Sequence, residues 1–209
     1  MTPLADVVVV ETGTANVASV VAALARLGRR ALLTRDAEVV RTADCVVVPG
    51  VGTFGAAVAS IDAAKLRRVL SERVARDQAL FGICLGMQVF GDASEESPGA
   101  TGLGAYRGVF RRFPQRPLLR VPQFGWNRIE GDGQGIDDGY AYFANSYRLE
   151  EAPAGWSVAW ADHGGPFVAA LERGATTLCQ FHPEVSGTYG ATCLQRWLER
   201  SRCLSEVTA

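Results

Sequence analysis

The chain has 209 residues, 48% of them hydrophobic, and its 21 basic and 22 acidic side chains leave a net charge of −1. Length and apolar content suit a single domain spanning residues 1–209 with a sizeable core, and the balanced charge argues against nucleic acid or a membrane surface as partner. The five cysteines are odd in number and form no C-x-x-C pair, which fits neither a disulfide framework nor a structural zinc site; with no leader or long apolar segment at the start, a cytoplasmic location is expected.

In chain order, the continuous apolar run Val7–Val10 predicts a strand covered on both faces. Asn16 is placed to cap a helix whose apolar positions Val17, Val20, Val21 and Leu24 recur at helical spacing and which Gly28 ends. Strands follow at 31–33 and at 45–48, the latter running into Pro49-Gly50. A helix over 65–76 leads to the strand Ala79-Leu80-Phe81. Sequential strands joined by helices require a parallel sheet with right-handed crossovers, and ligands then gather at the carboxyl ends of its strands. After Gly91 turns replace helices. Short strands are predicted around 108–113, 128–129, 140–143, 156–160, 167–171 and 177–181, as antiparallel additions to the same layer, with a last helix over about 189–202.

The apolar strand before it and Met87-Gln88-Val89-Phe90 after it make Gly82-Ile83-Cys84-Leu85-Gly86 a strand, a sharp turn and a helix with Cys84 at the apex. Such a nucleophile elbow needs glycines two residues either side, because a Cβ there would strike the strand or the helix. At the helix start, unpaired N–H groups favour the reactive thiolate. A base is found in His182-Pro183-Glu184. Proline excludes helical geometry at His182, and an extended tripeptide sets the side chains of His182 and Glu184 on one side, where the carboxylate orients the imidazole. Backbone N–H groups of Leu85 and of the Pro49-Gly50-Val51-Gly52 turn are natural donors to an oxyanion, the glycines letting peptide units turn toward a substrate. Gln88, one helical turn beyond Cys84, reaches the same place.

The elbow continued to Met87-Gln88, the Pro49-Gly50-Val51-Gly52 turn and Gln180-Phe181-His182-Pro183-Glu184 resemble class I (triad) glutamine amidotransferases. More narrowly, Thr12-Gly13-Thr14-Ala15-Asn16, Ser94-Glu95-Glu96, Gly125-Trp126-Asn127 and Tyr142-Phe143-Ala144-Asn145-Ser146-Tyr147 are similar to the glutaminase subunits of imidazole glycerol phosphate synthase, nearly end to end. The resemblance implies an α/β, three-layer, flavodoxin-like fold with a mostly parallel central sheet and antiparallel additions in its C-terminal half. It also implies hydrolysis of L-glutamine to glutamate and ammonia through a thioester at the triad Cys84, His182 and Glu184, with no cofactor and no metal. The oxyanion segment would be Gly50, Val51 and Gly52 with Leu85, and the glutamine contacts Gln88, Ser146 and Tyr147. Ammonia would pass to a separate (β/α)8-barrel cyclase subunit in a heterodimer that serves histidine biosynthesis.

The sequence departs from that family at Gln123 and Asn145, where histidine is frequent, and at Val185, where a basic residue usually follows the glutamate. The Val185 change leaves open a paralogous subunit that feeds ammonia to another synthase, and a catalytically silent regulatory subunit is the alternative of a different class. His163 is read as a loop residue, the tryptophans as core or interface, and Arg107, Arg111, Arg112, Arg116 and Arg120 as a solvated strand face or a surface toward a partner or a phosphorylated ligand.

Overall fold

A computed structural model describes residues 7–12, 17–131 and 136–201. The expected cap at Asn16, the turn residues Gly13, Thr14 and Ala15, and Cys203 lie outside the described residues. The first half runs β1 (Val7–Val10), α1 (Val17–Arg26), β2 (Ala31–Thr34), α2 (Ala37–Thr42), β3 (Val46–Gly50), α3 (Phe54–Ala63), α4 (Arg67–Ala75), β4 (Leu80–Cys84) and α5 (Leu85–Gln88). The second half runs β5 (Ala93–Ser94), β6 (Val109–Arg112), β7 (Gln123–Ile129), β8 (Gly139–Asn145), β9 (Tyr147–Arg148), β10 (Ser157–Asp162), β11 (Pro166–Arg173) and β12 (Thr176–Cys179). A 3-10 turn over Pro183–Val185 then leads into α6 (Gly187–Arg200).

The central sheet has seven strands in the order β10-β11-β12-β4-β3-β1-β2. From β2 through β12 every pairing is parallel, and β11 and β10 complete the edge antiparallel. The β2-β1-β3-β4 order is that of doubly wound, flavodoxin-like sheets. Alternation along each strand divides the core in two. Val7, Val9, Val47, Phe81 and Ile83 face α1 and α6 through Val20, Leu24, Leu194 and Trp197. Val8, Val10, Val46, Val48 and Leu80 face α2, α3 and α4 through Val40, Phe54, Val58, Ile61 and Leu70. This is why the strands read as unbroken apolar runs: both faces are buried.

Three sequence expectations are corrected. The segment expected at 177–181 is β12, which lies parallel to β4 in the sheet's interior, because the β11–β12 hairpin reverses a strand that itself runs antiparallel to the rest. Strands β7 and β8 pair with each other and β5, β6 and β9 with one another, outside the central layer; Ile129, Ala141 and Phe143 cover the α1 and α6 face instead. Helices α2 and α3 were not expected. Both carry side-chain caps: Asp36 Oδ1 accepts from the N–H groups of Glu38 and Val39 at 2.8 and 3.2 Å, and Thr53 caps α3 through the N–H of Ala56.

The register sets Gly50 beside Cys84 and Ile83 beside both Pro49 and Cys179. The carboxyl ends of β3, β4 and β12 therefore meet at one place. There a Cβ on Gly86 would stand 1.8 Å from the Val48 carbonyl oxygen, and one on Gly82 would stand 2.7 Å from that of Gly86. Gly86→Ala should therefore destabilise the protein by about 3 kcal/mol or more, since the neighbour is backbone and cannot yield; urea unfolding followed by circular dichroism measures it.

Candidate active site

Cys84 ends β4 with φ +53° and ψ −109°, a region a cysteine rarely adopts. The strain is held by its neighbours. Besides Gly82 and Gly86, Gly50 is fixed by contact, since a Cβ on it would lie 2.8 Å from both the Gly86 nitrogen and Leu85 Cβ. Gly52, by contrast, needs its freedom, with φ +99°. Of the two glycines expected to serve backbone rotation, Gly52 thus has a conformation that favours glycine, whereas Gly50 is a packing requirement. The following helix α5 is a single turn of four residues, so the macrodipole expected to act on the thiol is short and its contribution small.

His182 reaches this place from the end of β12. Its N–H donates to the Tyr142 carbonyl at 2.9 Å. Ser186 Oγ donates to the His182 carbonyl at 2.7 Å and accepts from the Tyr142 N–H at 2.9 Å. Strand β8 and Ser186 thereby hold the histidine backbone on both sides. His182 itself is extended, but Pro183–Val185 is a 3-10 turn, closed by Val185 N–H to His182 C=O at 3.2 Å. The two side chains meet through this tight turn and not through the extended chain the proline suggested; proline is at home in the first position of such a turn, where its missing N–H has no role. The result is the expected contact, His182 Nδ1 to Glu184 Oε1 at 2.8 Å with both side chains buried. Among the described residues Glu184 Oε2 has no hydrogen-bond partner.

The thiol stands on the same cavity as the ring: Cys84 and His182 both line it, and the sulfur is near enough to act on the charge of the imidazole. Burial alone would lower the imidazole pKa, but the Cys84 sulfur and the Glu184 carboxylate, through charge and hydrogen bonds, outweigh it and push His182 up to about 10. A charged imidazolium between two acceptors is thus the form the site favours at neutral pH.

The cavity, about 250 Å³, is lined by Val51, Gly52, Cys84, Leu85, Gln88, Ser146, Tyr147 and His182, so all but two of the sequence-predicted residues line it. Glu184 stands behind His182, and Gly50 lines a second cavity of about 240 Å³ on the other side of that ring, with Tyr142, Ala144 and Val185. Sequence reasoning missed several members. Glu96 lines the first cavity while accepting from the Phe54 N–H at 2.7 Å, and the Ser94-Glu95-Glu96 motif was its signal. Pro122, Phe124 and Asn145 also line it. Gln180 is fully buried behind the thiol. Leu85 is the first residue of α5, where backbone N–H groups have no intrahelical acceptor. His163 accordingly sits apart, its Nε2 2.8 Å from the Arg120 carbonyl; the expected basic stretch is exposed, with Arg111 paired to Glu95 at 3.0 Å. Trp197 is core and Trp126 exposed. Among the described residues no cluster of His, Cys, Asp or Glu could hold a metal ion, and no helix is long and apolar enough to cross a membrane.

Residues 8–200 match the family described as Glutamine amidotransferase class-I. The chain belongs to that family. It is 40% identical over 202 residues to the imidazole glycerol phosphate synthase subunit HisH of Escherichia coli strain K12, covering 93% of this chain and 99% of that protein. To the subunits of the same name from Streptococcus gordonii and Mycolicibacterium paratuberculosis it is 38% and 37% identical, covering 88% and 93% of this chain and 91% and 98% of those proteins. A crystal structure of a glutamine amidotransferase superposes with a TM-score of 0.75 at 21% identity, covering 93% of this chain and 98% of that one. A glutamine amidotransferase from Thermotoga maritima gives a TM-score of 0.53 at 15% identity, covering 94% of this chain and 81% of that one; both likenesses concern the fold. The chain is a glutamine amidotransferase with a mostly parallel α/β architecture.

Two expectations follow. A glutamine analogue with an electrophilic side chain should label Cys84 and spare Cys179 and Cys193, whose thiols burial pushes up, that of Cys193 to about 12; peptide mass spectrometry locates the adduct. The second concerns pH. The folded-state His182 pKa lies above its unfolded value near 6.5, so the stability this proton brings is complete below about pH 6.5 and is lost as pH rises through about 10. Glu184→Gln removes a charge and weakens a hydrogen bond that raise it, so the alkaline limb of glutaminase activity should move to lower pH, with a smaller loss of rate than His182→Ala causes.

Proposed function

We propose that this chain is the glutaminase subunit of imidazole glycerol phosphate synthase: it hydrolyses L-glutamine to glutamate and ammonia and passes the ammonia to a (β/α)8-barrel cyclase subunit, in a cytoplasmic heterodimer of histidine biosynthesis. The observation that carries the chemistry is that Cys84 and His182 line one cavity while Glu184, behind the ring, holds His182 Nδ1 at 2.8 Å. The likeness to the HisH subunits along nearly the whole chain narrows it to this synthase. One domain then carries the whole of this half-reaction.

In this reading the Cys84 thiolate adds to the carboxamide carbon of glutamine, and the oxyanion is met by the N–H of Leu85 and one from the Gly50-Val51-Gly52 segment. His182 gives its proton to the amide nitrogen, the C–N bond breaks, and ammonia leaves behind a γ-glutamyl thioester. Neutral His182 then takes a proton from water, whose oxygen adds to the thioester carbon; collapse expels the thiolate and yields glutamate. Gln88, Ser146 and Tyr147 hold the amino-acid end, where the Glu96 carboxylate suits an ammonium group. The second cavity adjoins His182 and Glu184, and the rest of its lining is mostly apolar, with Val20, Ile83, Ala144 and Val185, a wall that suits the exit of neutral ammonia. Beside both cavities Phe124, Trp126 and Val185 are 70, 58 and 46% exposed, a ledge of apolar surface that fits a partner subunit.

Val185, uncharged at that rim, favours a second reading, a paralogous subunit that serves a different synthase; the intact triad speaks against a silent regulatory subunit. Reconstitution with the barrel cyclase of the same organism decides. Cys84→Ser should abolish glutamine-dependent synthesis, by at least a thousandfold, and leave ammonium-driven synthesis intact. Undiminished glutamine-dependent turnover in Cys84→Ala would overturn the assignment, and activity only with another synthase would favour the paralogue.

A further inference from the structure

Behind the thiol, on the side away from the cavity mouth, a second polar group meets the sulfur. Gln180 is 0% exposed, and its Nε2 lies 3.5 Å from Cys84 Sγ. Its Oε1 accepts from Gln88 Nε2 at 2.8 Å, and Gln88 is itself buried. A fully buried side-chain amide that bridges the nucleophile and a residue of the binding cavity is costly to place unless both of its ends are used.

We propose that Gln180 is a positioning residue for the nucleophile, its amide N–H holding the Cys84 sulfur as a thiolate and its carbonyl holding Gln88, so that one buried chain ties the cavity wall to the reacting atom. The chemistry fixes the direction of that chain. A thiolate can only accept, so the group facing it must donate, and Gln180 must then turn its oxygen to Gln88. A thiol would permit the reverse, with S–H donating to Oε1 and Gln180 donating to Gln88. A neutral thiol sulfur accepts only weakly, whereas a hydrogen bond to a charged acceptor is the stronger, so a donor at 3.5 Å serves the thiolate more than the thiol. Around the sulfur the other titratable groups are Glu96 and Tyr147 on the cavity side, Cys179 within β12, and His182 with Glu184 behind it. Of these only the imidazolium brings positive charge, and the four-residue α5 adds little. A neutral donor on the far face of the sulfur is what completes its solvation.

The inference rests on the thiol chemistry proposed above, but its test needs neither glutamine nor a partner. Gln180→Glu keeps an acceptor for Gln88 and replaces the donor facing sulfur by a second oxygen; Gln180→Met removes both. In the full chain, alkylation of Cys84 by iodoacetamide, followed by peptide mass spectrometry across pH, should slow about tenfold at neutral pH in both variants, the order expected for a lost hydrogen bond to a charged group. Gln180→Glu should recover as pH falls and its carboxyl becomes a donor again, whereas Gln180→Met should not. With the partner present, kcat for glutamine should fall by about the same factor in Gln180→Glu while KM stays near the parent value, because the contact to Gln88 survives. Alkylation profiles that coincide with the parent's in both variants would overturn the proposal, as would equal behaviour of the two at low pH. The unaltered protein provides a check free of folding effects: with side-chain amide nitrogens labelled, the Gln180 NH2 signals should move when Cys84 is alkylated, and unmoved signals would overturn the proposal too. Loss of the glutaminase assignment with a retained alkylation effect separates the two readings.

Discussion

The site depends on one backbone constraint, the positive φ of Cys84 at the end of β4. No cysteine adopts that conformation for its own sake, and the cost, of order 1–3 kcal/mol, is borne because the surroundings leave no other path. Gly86 lets α5 press onto the Val48 carbonyl of β3, Gly82 lets β4 lie under the Gly86 carbonyl, and Gly50 lets β3 press onto α5. The same close approach does two things at once. It turns Cys84 out of the strand, and it brings the Pro49–Gly52 turn beside Cys84, with Gly50 and no side chain opposite it. Substitution at Gly50 therefore probes packing, and only Gly52 offers a hinge whose conformation demands glycine.

With geometry fixed by the glycines, charge is fixed by a buried histidine. Desolvation pushes His182 toward neutrality, and the sulfur on one side and Glu184 on the other push it the other way and prevail. Ser186 and the backbone of Tyr142 contribute no charge. They hold His182 in register with β8, so that the ring stands between the two cavities and separates the thiol from the apolar wall beyond.

The additions to the central sheet are what give the site its walls. Strands β7 and β8 leave the central layer, bring Phe124, Asn145 and Ser146 over Cys84, and present Trp126 outward beside Val185. A purely parallel doubly wound sheet would hold the nucleophile and the histidine at the strand ends but leave them open to water. The second hairpin layer turns an exposed edge into a cavity bounded by apolar surface.

Much of this is legible in the residues. Continuous apolar runs, helix spacing and the glycines flanking Cys84 identify the parallel core and the elbow, because these are local consequences of strand and helix geometry. The order of the five inner strands follows from crossover handedness only in part. Helices α2 and α3 are not legible, since the six residues of α2 are too few to show a period and the small and apolar residues of α3 fall on all its sides. The motif His182-Pro183-Glu184 names the right pair, but the 3-10 turn that joins them depends on Ser186 and on β8, which are remote in the chain or silent in the pattern. Gln180 shows the limit most clearly. Its position in the sequence says only that a polar residue precedes Phe181, and whether its amide meets the thiol is decided by the register of β12 on β4, with Cys179 opposite Ile83. The sequence by itself determined which side chains could do the chemistry proposed here, because reactivity resides in side-chain type and local backbone strain. Tertiary structure alone decided which groups surround them, because cavity walls, desolvation and the partner of a buried amide arise where segments distant in the chain are pressed together.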